Sequence, residues 1–206
     1  MTTYCYWGFK VLRYSVYFLI LSMTHLYAQD DLTPDIKEKD FHIADPEDAY
    51  FNSVESDSSM YNAYLQRATH RMDSHYYKGA LEDYNLALKI KESDPAVWFT
   101  CGTLREKFRD LKGALAAYTK AIEINPNYLE AHMSRGRILL KTLKHAEASE
   151  DFSFIISNDT TNANAYYYRA LTKQSLKQAD ACSDLKKAET LGRTISKDEK
   201  SKICIR

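Results

Sequence analysis

The chain has 206 residues, 45% apolar and 27% charged, which is enough for one main core and short for two large domains. Its 28 basic and 28 acidic side chains cancel, so the total carries no electrostatic footprint for a nucleic acid or an anionic membrane. The balance is uneven along the chain: from Gln29 to Met60 ten acids face two lysines, a net of −8, and from Tyr61 onward 24 basic residues face 18 acidic ones, a net of +6.

The first residues form a class of their own. Lys10 and Arg13 precede the apolar run Tyr14 to Met23, and the small Ala28 stands before Gln29. This is the pattern of a secretory signal cleaved after Ala28. Residues 1–28 are therefore expected to direct the chain to the periplasm, the cell envelope or the medium. The alternative is an uncleaved signal that anchors the chain, and a membrane is expected as a partner only in that case. Against it, the run falls short of the roughly 20 largely apolar residues that a span needs. Residues 29–60, acidic and poor in large apolar side chains, are expected to form a largely disordered arm. Within it, Asp45-Pro46-Glu47-Asp48-Ala49-Tyr50-Phe51 carries an N-cap and an N1 proline, the signature of a short helix start.

From Tyr61 the sequence repeats. Gly79-Ala80-Leu81-Glu82-Asp83-Tyr84-Asn85-Leu86-Ala87 recurs 34 residues later as Gly113-Ala114-Leu115-Ala116-Ala117-Tyr118-Thr119-Lys120-Ala121. Glu147-Ala148-Ser149-Glu150-Asp151-Phe152 follows after another 34, and Asp180-Ala181-Cys182-Ser183-Asp184-Leu185-Lys186-Lys187-Ala188 arrives one residue early. Upstream of each copy a large residue precedes a small one by four: Tyr64 and Ala68, Trp98 and Gly102, His132 and Gly136, Tyr166 and Ala170. That spacing puts both on one helix face and lets a neighbouring helix come close. Period and pattern together resemble the tetratricopeptide repeat (TPR) family, with Pro126 at the family's proline position and Glu92 and Thr160 departing from it.

The resemblance implies an all-α, right-handed α-solenoid of four helix-turn-helix pairs over 61–195, in units 61–94, 95–128, 129–162 and 163–195. Tyr84, Trp98, Phe108, Tyr118 and Phe152 are expected as large core pieces, each contributing roughly 1.5 to 3 kcal/mol on full burial. Ser196-Lys197-Asp198-Glu199 reads as a capping box, so residues 196–206 are expected to form a short capping helix and tail over the last unit. Export would permit a disulfide. Cys5 leaves with the signal, and of Cys101, Cys182 and Cys204 at most two can pair. Cys182 on the last repeat and Cys204 at the end of the cap are the candidate pair, and Cys101 beside Gly102 reads as a small buried hydrophobe.

Chemistry-bearing constellations are poor. His70 with His75 and His132 with His145 lack metal-ligand spacing, and there is no glycine-rich phosphate loop, no Gly-x-Ser-x-Gly elbow and no Cys-x-x-Cys. No enzyme activity, cofactor, metal, nucleic acid or small-molecule substrate is expected. Stacked helix pairs curve into a concave surface lined by their first helices. In proteins resembling this one, that groove is lined by fixed places of each repeat, occupied here by Leu65 and Thr69, by Phe99, Thr103 and Lys107, by Met133, Arg137 and Lys141, and by Tyr167. Leu65, Phe99, Met133 and Tyr167 make one apolar rung per unit, suited to a protein or peptide partner with hydrophobic anchors, unless they serve as packing. The clamp that other TPR proteins use to grip chaperone C-termini is missing, since Leu65, Thr69, Phe99, Thr103, Glu130 and Ser134 hold its places. The expected function is an exported, non-catalytic scaffold, with a periplasmic holdase or assembly chaperone as the alternative.

Overall fold

The computed structural model describes residues 56–204. The expected signal peptide, Ala28, and the arm as far as residue 55, with Tyr50 and Phe51, lie outside the described residues. Among the described residues all regular structure is helical: α1 (Asp57–Asp73), α2 (Tyr77–Ile90), α3 (Pro95–Lys107), α4 (Leu111–Ile124), α5 (Leu129–Lys141), α6 (His145–Asn158), α7 (Ala163–Ser175), α8 (Ala181–Thr190) and α9 (Lys197–Ile203). They pack as the pairs α1·α2, α3·α4, α5·α6 and α7·α8, and each pair meets the next through α2·α3, α4·α5 and α6·α7. The result is a four-pair solenoid closed by the short α9.

Helix starts follow local chemistry. Ser56 accepts from the Ser59 amide, so α1 begins at Asp57 and its first turn takes the last four residues of the acidic stretch. Asp94 accepts from the amides of Ala96 and Val97 with Pro95 at N1 of α3, and Asp110 and Asn162 cap α4 and α7 through the amides of Gly113 and Ala165. Ser196 and Glu199 complete a reciprocal capping box on α9.

The turn inside each pair is built the same way four times. His75, Arg109, Leu143 and Lys177 have φ between 58° and 65°, and the next residue's amide reaches back to the last helical turn: Tyr76 to Arg71, Asp110 to Arg105, Lys144 to Leu139, Gln178 to Lys173. This is the Schellman arrangement, which most helices build with glycine. A side chain in this left-handed region costs about 1–2 kcal/mol relative to glycine, so tertiary packing holds these turns against local preference.

Between paired helices the small residues do steric work. A Cβ on Gly102 would lie 2.6 Å from the ring of Tyr118, and one on Gly136 would lie 2.8 Å from the ring of Phe152. Both rings are fully buried and cannot step aside. Tyr84, Tyr118 and Phe152 are core, Trp98 is half-buried with its indole N–H donating to the Glu92 carbonyl at 2.8 Å, and Phe108 is a correction. Phe108 is 47% exposed because it is the C-cap of α3, past the last turn that faces α4. With Tyr76, Leu143 and Leu176 it belongs to the large apolar side chains exposed among the described residues, all four at the turns within pairs.

The missing residue of the fourth unit falls after Lys177. α2, α4 and α6 have 14 residues each, whereas α8 has 10 and starts only at Ala181. The chain absorbs the deletion by giving up the first turn of the second helix.

Three of the four pairs also share a buried ionic contact. Arg67 on α1 grips Asp83 on α2 with donor distances of 3.1 and 2.7 Å, Arg135 on α5 grips Asp151 on α6 at 2.9 and 2.7 Å, and Arg169 on α7 grips Asp184 on α8 at 2.7 Å twice. In the second pair the equivalent places hold Cys101 and Ala117, both fully buried and apolar. No helix of the described residues is long and apolar enough to cross a membrane.

Candidate partner-binding groove

The first helices of the second and third units, α3 and α5, are bridged by charged side chains. Glu106 on α3 is 3.0 Å from Lys141 and 3.8 Å from Arg137 on α5, so the two cations of the third unit face an acid of the second. Tyr118 sends its hydroxyl from the core toward the same strip, 3.4 Å from both Thr103 Oγ1 and Glu106 Oε2. Burial pushes that phenol's pKa up. Lys107 Nζ sits 3.4 Å from the centroid of the Tyr77 ring, a cation–π contact that pins the second unit to the first.

Leu65, Phe99, Met133 and Tyr167 are each half-buried. Leu65 packs against the core of the first two units, Phe99 against Ala114, Tyr118 and Ile138, and Met133 against the cluster around Phe152. Phe99 also lies between Tyr118 and Tyr128, with ring centroids 5.5 and 5.1 Å away. The rungs therefore contribute to packing and keep one flank open. Thr69, Thr103, Lys107 and Lys141 are exposed, and the threonine hydroxyls donate to the carbonyls of Leu65 and Phe99, one helical turn back. The strip offers half-buried apolar edges beside exposed hydroxyls and paired charges.

Tyr167 is placed differently. Its hydroxyl donates to Glu199 Oε1 on α9 at 2.6 Å, and the Arg193 guanidinium lies 3.7 Å from its ring centroid. Burial and the neighbouring carboxylate raise the Tyr167 pKa, while the hydrogen bond from Tyr167 and those from Ser196 draw Glu199 down to about 2. Arg193 also donates to Asn164. Sequence reasoning missed Arg193 and Glu199 as the residues that cover Tyr167, because both lie beyond the last repeat. The one signal available was that α9 begins 34 residues after α7, where a fifth first helix would start. The Tyr118 hydroxyl was missed because its ring fills a core place.

Cys182 and Cys204 are joined by a disulfide across 22 residues. Cys101 is buried with a free thiol whose pKa burial pushes up to about 12. Among the described residues no group of three or more His, Cys, Asp or Glu side chains is placed to hold a metal ion. His132 instead makes a structural contact, with Nδ1 2.7 Å from Asp151 and Nε2 3.0 Å from the Pro126 carbonyl.

The architecture recurs in solved proteins. YrrB, described as a TPR protein with an unusual peptide-binding site, aligns over 70% of this chain and 75% of its own at TM-score 0.61 and 26% identity. This chain has the tetratricopeptide-repeat fold. The first TPR domain of Spaghetti (RPAP3), solved with the HSP90 peptide SRMEEVD, aligns over 61% of this chain and 99% of its own at TM-score 0.54 and 17% identity. In sequence, human tetratricopeptide repeat protein 6 is 30% identical over 127 residues, 61% of this chain. The chain spans from 10% to 24% of the length of the curated relatives it matches. No protein-family model matches it.

Proposed function

We propose that this chain is an exported, non-catalytic TPR scaffold that holds a peptide segment of a protein partner on the strip formed by its first helices. The observation that carries the reading is the strip itself. Half-buried Leu65, Phe99 and Met133 present apolar edges at one per unit, with exposed Thr69 and Thr103 and the Glu106–Lys141 pair beside them. A row of apolar edges at the repeat spacing suits the anchors of an extended or helical peptide, and the polar neighbours suit its backbone. Two proteins of this fold, YrrB and the RPAP3 domain, are described with a peptide site or a bound peptide, which supports the same use here. The chaperone-tail clamp is not part of the proposal, because Leu65, Thr69, Phe99 and Thr103 occupy its places. Export is supported by the signal pattern of residues 1–28 and by the disulfide, a bond that oxidising compartments preserve. A holdase is disfavoured because the large apolar side chains exposed among the described residues stand at the turns and not in the strip.

Peptides selected from a displayed random library on the immobilised full chain test the reading. Thr103 is exposed on the strip, and Ala116 is exposed on α4. Thr103→Arg should weaken a selected peptide by about tenfold or more, equivalent to about 1.4 kcal/mol, while Ala116→Arg leaves it unchanged. Equal effects of the two substitutions, or no selectable peptide, would remove the groove as the site.

A further inference from the structure

The segment from Leu191 to Cys204 both closes the exposed flank of the last pair and engages the groove positions of the fourth unit. Glu199 holds the Tyr167 hydroxyl, Arg193 covers the Tyr167 ring and bonds Asn164, and Gln174 Nε2 donates to the Lys202 carbonyl at 2.7 Å. Leu171 and Tyr167 pack against the cluster that contains Ile203.

α9 has only seven residues, too few to persist as an isolated helix. Ile203, the capping box, the Tyr167–Glu199, Gln174–Lys202 and Lys200–Glu189 contacts and the disulfide hold it, and of these the disulfide is the covalent tie, opened by thiol exchange. The bond can be reached. Cys182 and Cys204 line an open cleft of about 1070 Å³ between α7, α8 and α9, rimmed by Lys177, Lys186 and Lys202 and by Lys200, which is paired with Glu189 at 2.6 Å. Ammonium groups there attract an incoming thiolate and stabilise the departing one. Cys101 is a poor competitor for exchange, since its buried thiol resists ionisation.

We propose that the Cys182–Cys204 disulfide is a redox latch: a dithiol reductant entering the lysine-rimmed cleft opens it, releases α9, and uncovers Asn164, Tyr167 and Leu171 as a further rung of the groove. One reductant thiolate attacks a protein sulfur, breaking the S–S bond and forming a mixed disulfide. The second reductant thiolate then displaces the protein sulfur, so that two electrons and two protons end on Cys182 and Cys204 and the reductant leaves as its own disulfide. Release of the cap stands on contacts within the chain, and only the use of the uncovered rung rests on the groove reading.

The test is hydrogen exchange of the full chain with and without dithiothreitol, with alkylation reporting the thiols. Once both thiols are free, exchange should rise by about tenfold or more across residues 164–171 and 197–204 and stay unchanged across 77–158. A Cys182→Ser, Cys204→Ser double variant should show the same pattern without reductant, and Arg193→Ala should loosen 164–171 with the disulfide intact. Tetranitromethane oxidises thiols, so nitration of Tyr167 is compared between the parent and the double variant, both without reductant, and should be greater in the variant. Unchanged protection of 164–171 after full reduction overturns the latch, as does loss of protection along the whole solenoid, which would make the bond a brace. None of these readouts uses a groove ligand, so a chain that opens on reduction yet selects no peptide retains the latch and loses the groove.

Discussion

Asp151→Ala should destabilise the chain by about 3 kcal/mol, toward the lower end of the range for breaking a buried ion pair. Asp151 is 2% exposed and accepts from Arg135 Nε and Nη2 at 2.9 and 2.7 Å, with His132 Nδ1 at 2.7 Å. Removing the carboxylate takes from the Arg135 guanidinium its acceptor between α5 and α6 and leaves His132 with its Nε2 contact to the Pro126 carbonyl. The Arg135 side chain keeps 23% exposure, so water recovers part of the loss. Deleting the exposed Lys120–Glu123 pair should change stability by less than about 0.5 kcal/mol. Urea unfolding followed by circular dichroism compares the two variants. An Asp151→Ala cost as small as that of Lys120→Ala would mean that the ionic contact contributes nothing specific to the pair.

The second large effect is a coupling. Cys101→Arg alone should cost about 4 kcal/mol or more, because it buries a cation where both Cys101 and Ala117 are fully enclosed, and Ala117→Asp alone should do the same with an anion. Together they recreate the contact that Arg67–Asp83, Arg135–Asp151 and Arg169–Asp184 make in the other units. The double variant should recover about 3 kcal/mol relative to the sum of the singles. It should still fall below the parent, since the added volume must be accommodated in a packed core. The coupling energy is the readout, and strict additivity of the two substitutions would deny that the second pair is an apolar version of the same joint.

That joint also marks how far the sequence can be read. The 34-residue period placed the helix pairs because the small residues Gly102 and Gly136 and the rings they admit recur with it. The early fourth copy announced a deletion, and the shortened α8 is how the chain absorbs it; the Arg169–Asp184 contact survives at a separation of 15 residues where the others span 16. The ionic joint is legible in the sequence as a correlated pair: Arg and Asp occur together in three units and are absent together from the second. Phe108 reads as core by residue type, but its position one residue past the end of α3 exposes it. The rungs resisted a clean assignment because their places serve two surfaces at once, as Phe99 does between Tyr118 and Tyr128. The cover on Tyr167 lies outside the repeat register, in Arg193 and Glu199, where periodicity carries no information.

The measurement that bears most directly on the groove is site-specific photo-crosslinking of the full chain in its native host, with a benzophenone side chain at Thr103 in one variant and at Ala116 in another. A discrete adduct from Thr103 and none from Ala116 is the predicted result. Adducts from Ala116 alone, or the same adducts from both positions, would contradict a partner seated on the strip of first helices.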